Sequence, residues 1–320
     1  MEKSRVSQLI SVVLPVFNEQ DNIRLLTKSI LGVLKNNNHL CEIIIVDDGS
    51  TDNSRSEITN ICNNNKNIKS ILFNQNYGQT AALRAGIEHA KGDYTIIMDS
   101  DFQSDPKDLI KLIDTIKENN NDFVIGKRTM RNDRFFRVLV SRVANFFIKK
   151  IFKSKISDLG CSLKIVKTKI LKEITLYGDA HRYISLILSK QGYKFSEIGV
   201  IHNKRLAGVS KYGYERTIKV LSDIFYLYFT FNFFSKPMQL FGWFGFFCLV
   251  SSFAFFIIML FFKYYFEVSF ILTPIPLIVV MLIILGFLSF LLGVISEILI
   301  RIYFELHKKK NYEIFKKINF

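Results

Sequence analysis

The sequence has only four cysteines, and no two of them stand close enough in the chain to form a recognised motif. Cys41, Cys62, Cys161 and Cys248 show no C-x-x-C spacing. Disulfide-stapled secreted domains and structural zinc sites both carry such closely spaced cysteines. We therefore expect a reduced, cytosolic chain without a disulfide framework or a zinc site.

Charged residues are missing from two long stretches of the last third, residues 237–262 and 268–296. A bilayer core takes about 20 apolar residues in a helix, so either stretch is long enough to cross it. Only a short segment with Lys263 and Glu267 separates them. The pattern predicts a transmembrane hairpin over residues 237–303 and a basic tail over 304–320. Lys236 and Arg301 flank the two spans, so both chain ends are expected to be cytoplasmic.

Acidic residues are in the minority, with 28 against 43 lysines and arginines and a formal net charge of +15. No nucleic-acid module accompanies this excess, so anionic lipid headgroups are its expected partners, and nucleic acid is not. The first apolar run, residues 9–17, continues into polar residues without a cleavage-like site. No signal peptide is therefore expected.

Apolar runs alternate with helical periodicity through residue 126. Short links between alternating strands and helices are typical of an α/β fold with a doubly wound, mainly parallel sheet. The predicted strands are residues 9–17, 42–46, 68–73, 94–98 and 122–125, and the predicted helices are 21–35, 52–63, 80–90 and 106–118. Residues 217–234 carry few charges and many aromatic side chains, which favours an interfacial helix, assigned to residues 214–236.

Polar residues follow the first, second and fourth predicted strands. In an open parallel sheet, ligands bind outside the carboxyl ends of the strands. Asp99 and Asp101 repel each other unless a cation or proton intervenes, and Mg²⁺ or Mn²⁺ accepts such carboxylates together with substrate phosphates. A solvated acidic turn is the alternative, and Gln103 and the second acidic cluster weigh against it. For Asn18, Glu19, Asp47 and Asp48, helix capping is the alternative to ligand contact.

The ordered set of motifs resembles the inverting family-2 glycosyltransferases with the Rossmann-like GT-A fold. Within them it is similar to the branch of dolichyl-phosphate mannose synthase and the bacterial two-span polyprenyl-phosphate glycosyltransferases. The motifs lie at residues 15–19 (PVFNE), 47–52 (DDGSTD), 76–78 (NYG), 99–103 (DSDFQ), 126–128 (GKR), 158–164 (DLGCSLK), 205–212 (RLAGVSKY) and 297–303. The resemblance covers nearly the whole chain and makes residues 1–213 the cytoplasmic catalytic domain.

The resemblance implies a role for each matching residue. The nucleotide would be held by Pro15, Phe17, Asn18, Glu19, Asp47, Asp48 and Ser100. Mg²⁺ or Mn²⁺ would be held by Asp99, Asp101 and Gln103. Donor diphosphate or acceptor phosphate would be held by Arg128, Arg142, Arg205, Ser210 and Lys211. The predicted catalytic set is Asp99, Asp101, Asp158, Arg205 and Lys211, with Asp158 ordering the acceptor loop or the basic residues.

The activity that the resemblance implies is inverting transfer of a sugar from a nucleotide-sugar to polyprenyl phosphate at the cytoplasmic membrane face. The donor is expected to be a UDP-hexose or UDP-amino sugar, and the partners are membrane lipids and, by resemblance, further copies of the chain. A phosphate acceptor has a second pKa near ~6 and is already nucleophilic at neutral pH, so no strict proton acceptor is expected.

Two other functions compete with this interpretation. A processive polysaccharide synthase would carry a Gln-x-x-Arg-Trp motif and several spans, whereas the single tryptophan here is Trp243, inside the first span. An inactive membrane-anchored nucleotide-sugar binder would be favoured by loss of Asp99 or Asp101, and both are present. For His181 and His202 a structural role is the expectation.

Overall fold

The computed structural model describes residues 8–129, 156–174, 176, 180–203, 228–229, 233, 236–270 and 273–306; within 301–306 it gives the backbone and the Ile302 side chain. The chain divides into two compact units, Met1–Val220 and Leu221–Phe320. The predicted division at residues 213, 236 and 303 stays a prediction. Most of the proposed interfacial helix, residues 214–236, lies outside the described residues.

The first unit is built on a seven-stranded sheet with the order β3-β2-β1-β4-β6-β5-β7. Its strands are β1 (Ile10–Val16), β2 (Cys41–Asp47), β3 (Ile68–Leu72), β4 (Tyr94–Ile97), β5 (Phe123–Arg128), β6 (Lys164–Lys167) and β7 (Phe195–Val200). Its helices are α1 (Ile23–Asn36), α2 (Ser54–Asn64), α3 (Gln79–His89), α4 (Asp108–Glu118), α5 (Thr168–Glu173) and α6 (Ile184–Lys190), with a 3₁₀ turn at Ala180–Tyr183.

Continuous burial of the central strands explains why they form a parallel sheet. All seven residues of β1 are buried, as expected for a strand covered by helices on both faces. Helices α1 and α4 bury apolar residues spaced three and four apart, such as Ile23, Leu26 and Ile30, into the same core. The doubly wound α/β prediction is therefore confirmed, and the five predicted strands and four predicted helices match within a few residues.

One strand departs from the parallel arrangement. β6 inserts between β4 and β5 and runs antiparallel to both. Strands β6 and β7 and helices α5 and α6 were not predicted, because they follow the last clear alternation of strands and helices. The antiparallel strand matters for the site, since its first residue, Lys164, lies beside Ile97 and Ile125 near the carboxyl ends of β4 and β5.

The second unit contains two long apolar helices, α7 (Pro237–Phe266) and α8 (Ile275–Leu306). Both are long and apolar enough to cross a membrane, over Pro237–Phe266 and Ile275–Ile300. They pack through small residues: a Cβ on Gly245 would lie 2.8 Å from the carbonyl oxygen of Gly286. Ser252 and Ser289 donate hydroxyl hydrogen bonds to carbonyls of the facing helix, at 3.1 and 3.0 Å. The two predicted apolar helices are confirmed.

A buried carboxylate ties together the amino-terminal end of the sheet. Glu42 is 5% exposed; its Oε1 accepts from Ser11 Oγ at 2.6 Å and from the Lys91 amide at 2.6 Å, and its Oε2 accepts from Lys69 Nζ at 2.5 Å. Burial raises the pKa of Glu42, but the hydrogen bonds from Lys69, Ser11 and Lys91 outweigh it and hold the pKa below its usual value.

Replacing Glu42 with glutamine should destabilise the protein in a pH-dependent way. We expect a fall in melting temperature at pH 7 of roughly 3–10 °C, because charge-assisted hydrogen bonds contribute about 1.5–3 kcal/mol. The folded pKa lies below the unfolded one, so the stabilisation is complete above the unfolded pKa and is lost as the pH falls through the folded pKa. The difference from wild type, measured by circular dichroism in detergent, should shrink as the pH falls from 5 to 3.

Glu88→Gln is the matched control, because Glu88 pairs with Arg84 on the surface, where both side chains are 55% exposed. Its melting temperature should stay close to that of wild type. Equal shifts for the two variants would contradict the structural role assigned to Glu42.

Candidate active site

The carboxyl ends of β1, β2 and β4 meet at one edge of the sheet, as predicted. Val16 pairs with Asp47 at the ends of β1 and β2, and β4 lies on the other side of β1. Ser100 Oγ donates to the carbonyl of Pro15 at 2.9 Å, which joins the loop after β4 to the end of β1. The Asn18 amide donates to Ser50 Oγ at 3.0 Å. The predicted nucleotide-binding segments therefore form one connected edge.

Several loop residues at this edge hold unusual backbone conformations. Asn18 has φ +57°, which a short polar side chain tolerates, and its Oδ1 accepts from the Thr51 amide at 2.8 Å. Phe102, between Asp101 and Gln103, has φ +59°, which is strained for a bulky residue. Gly49 has φ +71°, and a Cβ there would lie 2.3 Å from the Gln75 carbonyl carbon, so only glycine fits.

Asp47 and Asp48 are buried, and each has protein partners. Asp47 Oδ2 accepts from Arg55 Nε and Nη2 at 3.1 and 3.0 Å, and its Oδ1 accepts from the Ser50 amide at 3.1 Å. Asp48 accepts from the amides of Tyr77 and Gly78 at 2.8 and 3.0 Å. Burial raises the pKa of Asp48, and nearby Asp47 adds to the effect, while the two amides oppose it.

The capping alternative for Asp47 and Asp48 is wrong, because at the start of α2 it is Asp52 Oδ1 that accepts from the Ser54 amide, at 2.9 Å, and Asn53 holds the N-cap position without a side-chain capping hydrogen bond. The two carboxylates instead hold Arg55 and the 77–78 turn in place. Glu19 lies at the start of α1, where its carbonyl accepts from the Ile23 amide at 3.1 Å and its carboxylate accepts from Asn22 Nδ2 at 2.6 Å. Contact of Phe17, Glu19 and the other edge residues with a nucleotide stays a prediction.

Asp99 and Asp101 follow β4 and bring two buried or nearly buried carboxylates to the edge, two positions apart. Asp99 Oδ1 accepts from Gln79 Nε2 at 2.8 Å, and Ser162 also donates to this carboxylate. Burial raises the pKa of Asp99, and the negative charge of Asp101 raises it further. Asp101 is 6% exposed and accepts from the Gln103 amide at 3.2 Å.

This carboxylate pair fits a divalent cation. Two neighbouring carboxylates repel each other, so a shared positive charge stabilises both. In the part of the chain that the structure describes, no group of three or more His, Cys, Asp or Glu side chains is arranged to hold a metal. A cation here would accordingly take Asp99 and Asp101, with Gln103 nearby, and complete its shell with substrate oxygens, as Mg²⁺ often does.

Asp158 holds Arg128 through a two-point contact. Arg128 Nε donates to Asp158 Oδ2 at 2.9 Å and its Nη2 donates to Oδ1 at 2.9 Å, while the Arg128 amide reaches Oδ2 at 3.2 Å. Asp158 is 2% exposed, and the Arg128 side chain is 15% exposed. Both predicted residues thus lie together, and Asp158 fixes the plane of the guanidinium.

Lys164, Gln79 and Ser162 also belong to the site; Ser162 and Lys164 lie in the 158–164 motif without a predicted role, and Gln79 lies outside the predicted motifs. Lys164 is 3% exposed, and its ammonium lies in the field of Asp99 and Asp158. Burial lowers the pKa of Lys164, and the negative charges of Asp99 and Asp158 oppose that effect. A lysine directly before the apolar pair Ile165 and Val166 was the available signal for Lys164.

The chain that leads toward the predicted basic motif runs beside the loop after Asp101. The Asn203 amide donates to the Gln103 carbonyl at 2.8 Å, His202 forms a β-bridge with Ser104, and the Ile201 amide donates to Asp108 Oδ2 at 2.8 Å. Arg142, Arg205, Ser210 and Lys211 lie outside the described residues, so their predicted roles stay predictions.

Comparison with known proteins assigns the chain to a family. Residues 11–175 match the family described as Glycosyl transferase family 2. A dodecaprenyl-phosphate galacturonate synthase from Rhizobium johnstonii is 35% identical over 240 residues, 73% of this chain and 70% of that protein. An undecaprenyl-phosphate 4-deoxy-4-formamido-L-arabinose transferase from Edwardsiella ictaluri is 32% identical over 225 residues, 70% and 69% of the two chains. The chain belongs to glycosyl transferase family 2.

A solved structure of the same fold supports the architecture. Glucosyl-3-phosphoglycerate synthase from Mycobacterium tuberculosis, in complex with Mn²⁺, uridine diphosphate and glucosyl-3-phosphoglycerate, matches with a TM-score of 0.55. The match is 18% identical and covers 70% of this chain and 80% of that one. The GT-A fold that the motifs implied is thereby confirmed.

Removing the Lys164 charge should destabilise the protein far more than removing a charge elsewhere on β6. Lys164→Met removes the buried positive charge that lies in the field of Asp99 and Asp158 and leaves Asp99 without this nearby cation, a change of roughly 1–3 kcal/mol. Lys167→Met on the same strand removes only a partly exposed pair with Asp122, with side chains 33% and 23% exposed, and should change stability by about 0–1 kcal/mol. Melting temperatures in detergent measure both, and equal shifts would refute the buried-cation role.

Proposed function

We propose that this glycosyltransferase moves a sugar from a nucleotide-sugar to polyprenyl phosphate at the cytoplasmic face of a membrane. The observation that supports this proposal most is that the Asp99–Asp101 pair and the Asp158–Arg128 pair lie at the same edge of the sheet. The first pair suits a diphosphate bound through a metal, and the second presents a guanidinium of fixed orientation. The relatives named above, which act on dodecaprenyl and undecaprenyl phosphate, support the acceptor class.

The donor and the metal are the next part of the proposal. Asp99, Asp101 and Gln103 would hold Mg²⁺ or Mn²⁺, and a divalent cation bound there would supply positive charge for the leaving diphosphate. The solved neighbour of the same fold contains Mn²⁺ and uridine diphosphate, so these are the first cation and nucleotide to test. The donor is a UDP-hexose or a UDP-amino sugar, and Pro15, Phe17 and Asn18 line its nucleotide end.

The chemical step needs positioning more than proton transfer. With a second pKa near ~6, the acceptor phosphate is mostly dianionic at neutral pH, so its oxygen attacks the anomeric carbon directly. The new C–O bond forms opposite the leaving nucleoside diphosphate, which departs with the bonding electron pair, and the anomeric configuration inverts. Arg128, together with Arg142, Arg205 and Lys211, compensates the phosphate charges. Asp158 orients Arg128 and accepts no proton.

The membrane arrangement completes the proposal. Helices α7 and α8 would anchor the enzyme in the membrane. The cytoplasmic position of both termini and the interfacial helix over residues 214–236, both predicted from the sequence, belong to the same proposal. Assembly into a homo-oligomer belongs to the same proposal.

The first test is a transfer assay with the full chain in detergent, undecaprenyl phosphate, Mn²⁺ or Mg²⁺, and a panel of nucleotide-sugars. We expect a new lipid-linked sugar, detected by mass spectrometry, that requires the cation and falls by at least about 10²-fold in Asp101→Ala. Asp114→Ala, on the exposed face of α4, is the control and should keep wild-type activity. Absence of product with every donor, while nucleotide still binds, would favour the inactive-binder alternative.

Asp158→Asn separates the orienting role from general base catalysis. An amide leaves Arg128 without its charge-assisted partner, a loss of about 1.5–3 kcal/mol, so kcat/KM should fall by roughly 10- to 150-fold. In wild type and variant alike, kcat/KM should rise with pH as the acceptor phosphate loses its second proton, with a pKa of about 6. Turnover that vanishes while donor and lipid binding stay intact would instead make Asp158 a base. Steady-state kinetics for both substrates between pH 5 and 8 distinguish the two.

A further inference from the structure

A single carboxylate on the edge strand β7 holds the turn that carries Asp158. Glu197 Oε1 accepts from the Ser157 amide at 2.7 Å, and Glu197 Oε2 accepts from Ser157 Oγ at 2.5 Å. The Asp158 amide also points at Oε1, at 3.4 Å. Both donors of Ser157 therefore end on one side chain, which fixes the backbone directly before Asp158.

The sheet sets the position of this contact relative to Arg128. β5 and β7 run parallel, with Ile125 opposite Glu197 and Arg128 opposite Val200. The two strands that carry Arg128 and Glu197 are thus neighbours, and the 157–158 turn bridges them. Glu197 holds the backbone of Asp158, and Arg128 holds its carboxylate. Because β5 and β7 are paired, Arg128, Asp158 and Glu197 are connected to one another through both the turn and the sheet.

The chemistry of Glu197 points to more than loop stability. A neutral acceptor could satisfy the same amide and hydroxyl without placing a second negative charge next to Asp158, and adjacent like charges disfavour each other. A carboxylate makes the hydrogen bonds from Ser157 stronger, because charge-assisted hydrogen bonds are roughly twice as strong as neutral ones. A turn held this firmly keeps the Asp158 carboxylate in one orientation.

We propose that Glu197 is a positioning residue for the transfer reaction, because its clamp on Ser157 sets Asp158 against Arg128 and so aims the guanidinium at a phosphate group. The inference rests on the proposed function, in which Arg128 binds a phosphate of the donor or of the acceptor. Glu197 itself touches neither substrate.

Hydrogen exchange tests the clamp without any need for catalysis. In full-length protein in detergent, Glu197→Ala should speed exchange of the 157–160 amides by about tenfold or more, while the amides of β4 keep their protection. Ser196→Ala is the matched control: it removes the 2.7 Å hydrogen bond from Asn121 Nδ2 on the opposite face of the same strand, and it should leave residues 157–160 unchanged. Unchanged exchange in Glu197→Ala would overturn the clamp.

A double-mutant cycle tests the effect on catalysis. Glu197→Ala should lower kcat/KM about tenfold, and Glu197→Gln, which keeps one acceptor oxygen, should recover most of that loss. In the Asp158→Asn background, Glu197→Ala should change kcat/KM by less than about twofold, because the path to Arg128 is already broken. An undiminished tenfold loss in that background would overturn the positioning role.

The substrate whose KM rises identifies the phosphate that Arg128 binds. An increase for undecaprenyl phosphate assigns the guanidinium to the acceptor, and an increase for the nucleotide-sugar assigns it to the donor diphosphate; either supports the inference. A fall in kcat with both KM values unchanged would overturn it. If wild-type protein forms no lipid-linked sugar, the proposed function is wrong. The hydrogen-exchange experiment would still show whether Glu197 holds the 157–158 turn.

Discussion

Negative charge collected at one edge of the sheet is the constraint around which the catalytic unit is arranged. Asp47, Asp48 and Asp158 are each at most 3% exposed, and a carboxylate removed from water has to be compensated. Asp47 receives Arg55, Asp48 receives two backbone amides, and Asp158 receives Arg128. The hydrogen bonds that compensate each carboxylate also fix the loop that donates them. The same interactions therefore determine both the electrostatics of the edge and the shape of the site.

At Asp99 and Asp101 the compensation is of a different kind. Gln79 and Ser162 donate hydrogen bonds to Asp99, and the buried Lys164 supplies positive charge, yet burial and the Asp101 carboxylate still raise the pKa of Asp99. Asp48 shares the raised pKa, to which the neighbouring Asp47 contributes, but two backbone amides donate to Asp48 and the Arg55 guanidinium already compensates Asp47. The Asp99–Asp101 pair is therefore where an added cation gains the most, which agrees with a metal-bound diphosphate.

The strand ends could be predicted from the sequence because each lies next to its own apolar run. Asp47 ends β2, and Asn18 and Asp99 lie two positions after β1 and β4, so local periodicity and the parallel arrangement were sufficient to bring them to one edge. The partners of those carboxylates were less accessible. Gln79 reaches Asp99 across 20 positions and Arg128 reaches Asp158 across 30, and no local pattern encodes such pairings.

The antiparallel strand β6 explains why a search at the carboxyl ends of parallel strands predicted no role for Lys164 and Ser162. Ligand-binding residues are sought after parallel strands, where the chain leaves the sheet at its carboxyl edge. β6 runs the other way between β4 and β5, so the chain enters it at that same edge. The segment before β6 supplies Asp158 and Ser162, and the first residue of β6 is Lys164. The carboxylates at the carboxyl ends of the parallel strands therefore lie at the same edge as the segment that leads into the antiparallel strand β6. Reversal of a single four-residue strand thus places the buried Lys164 in the field of Asp99 and Asp158.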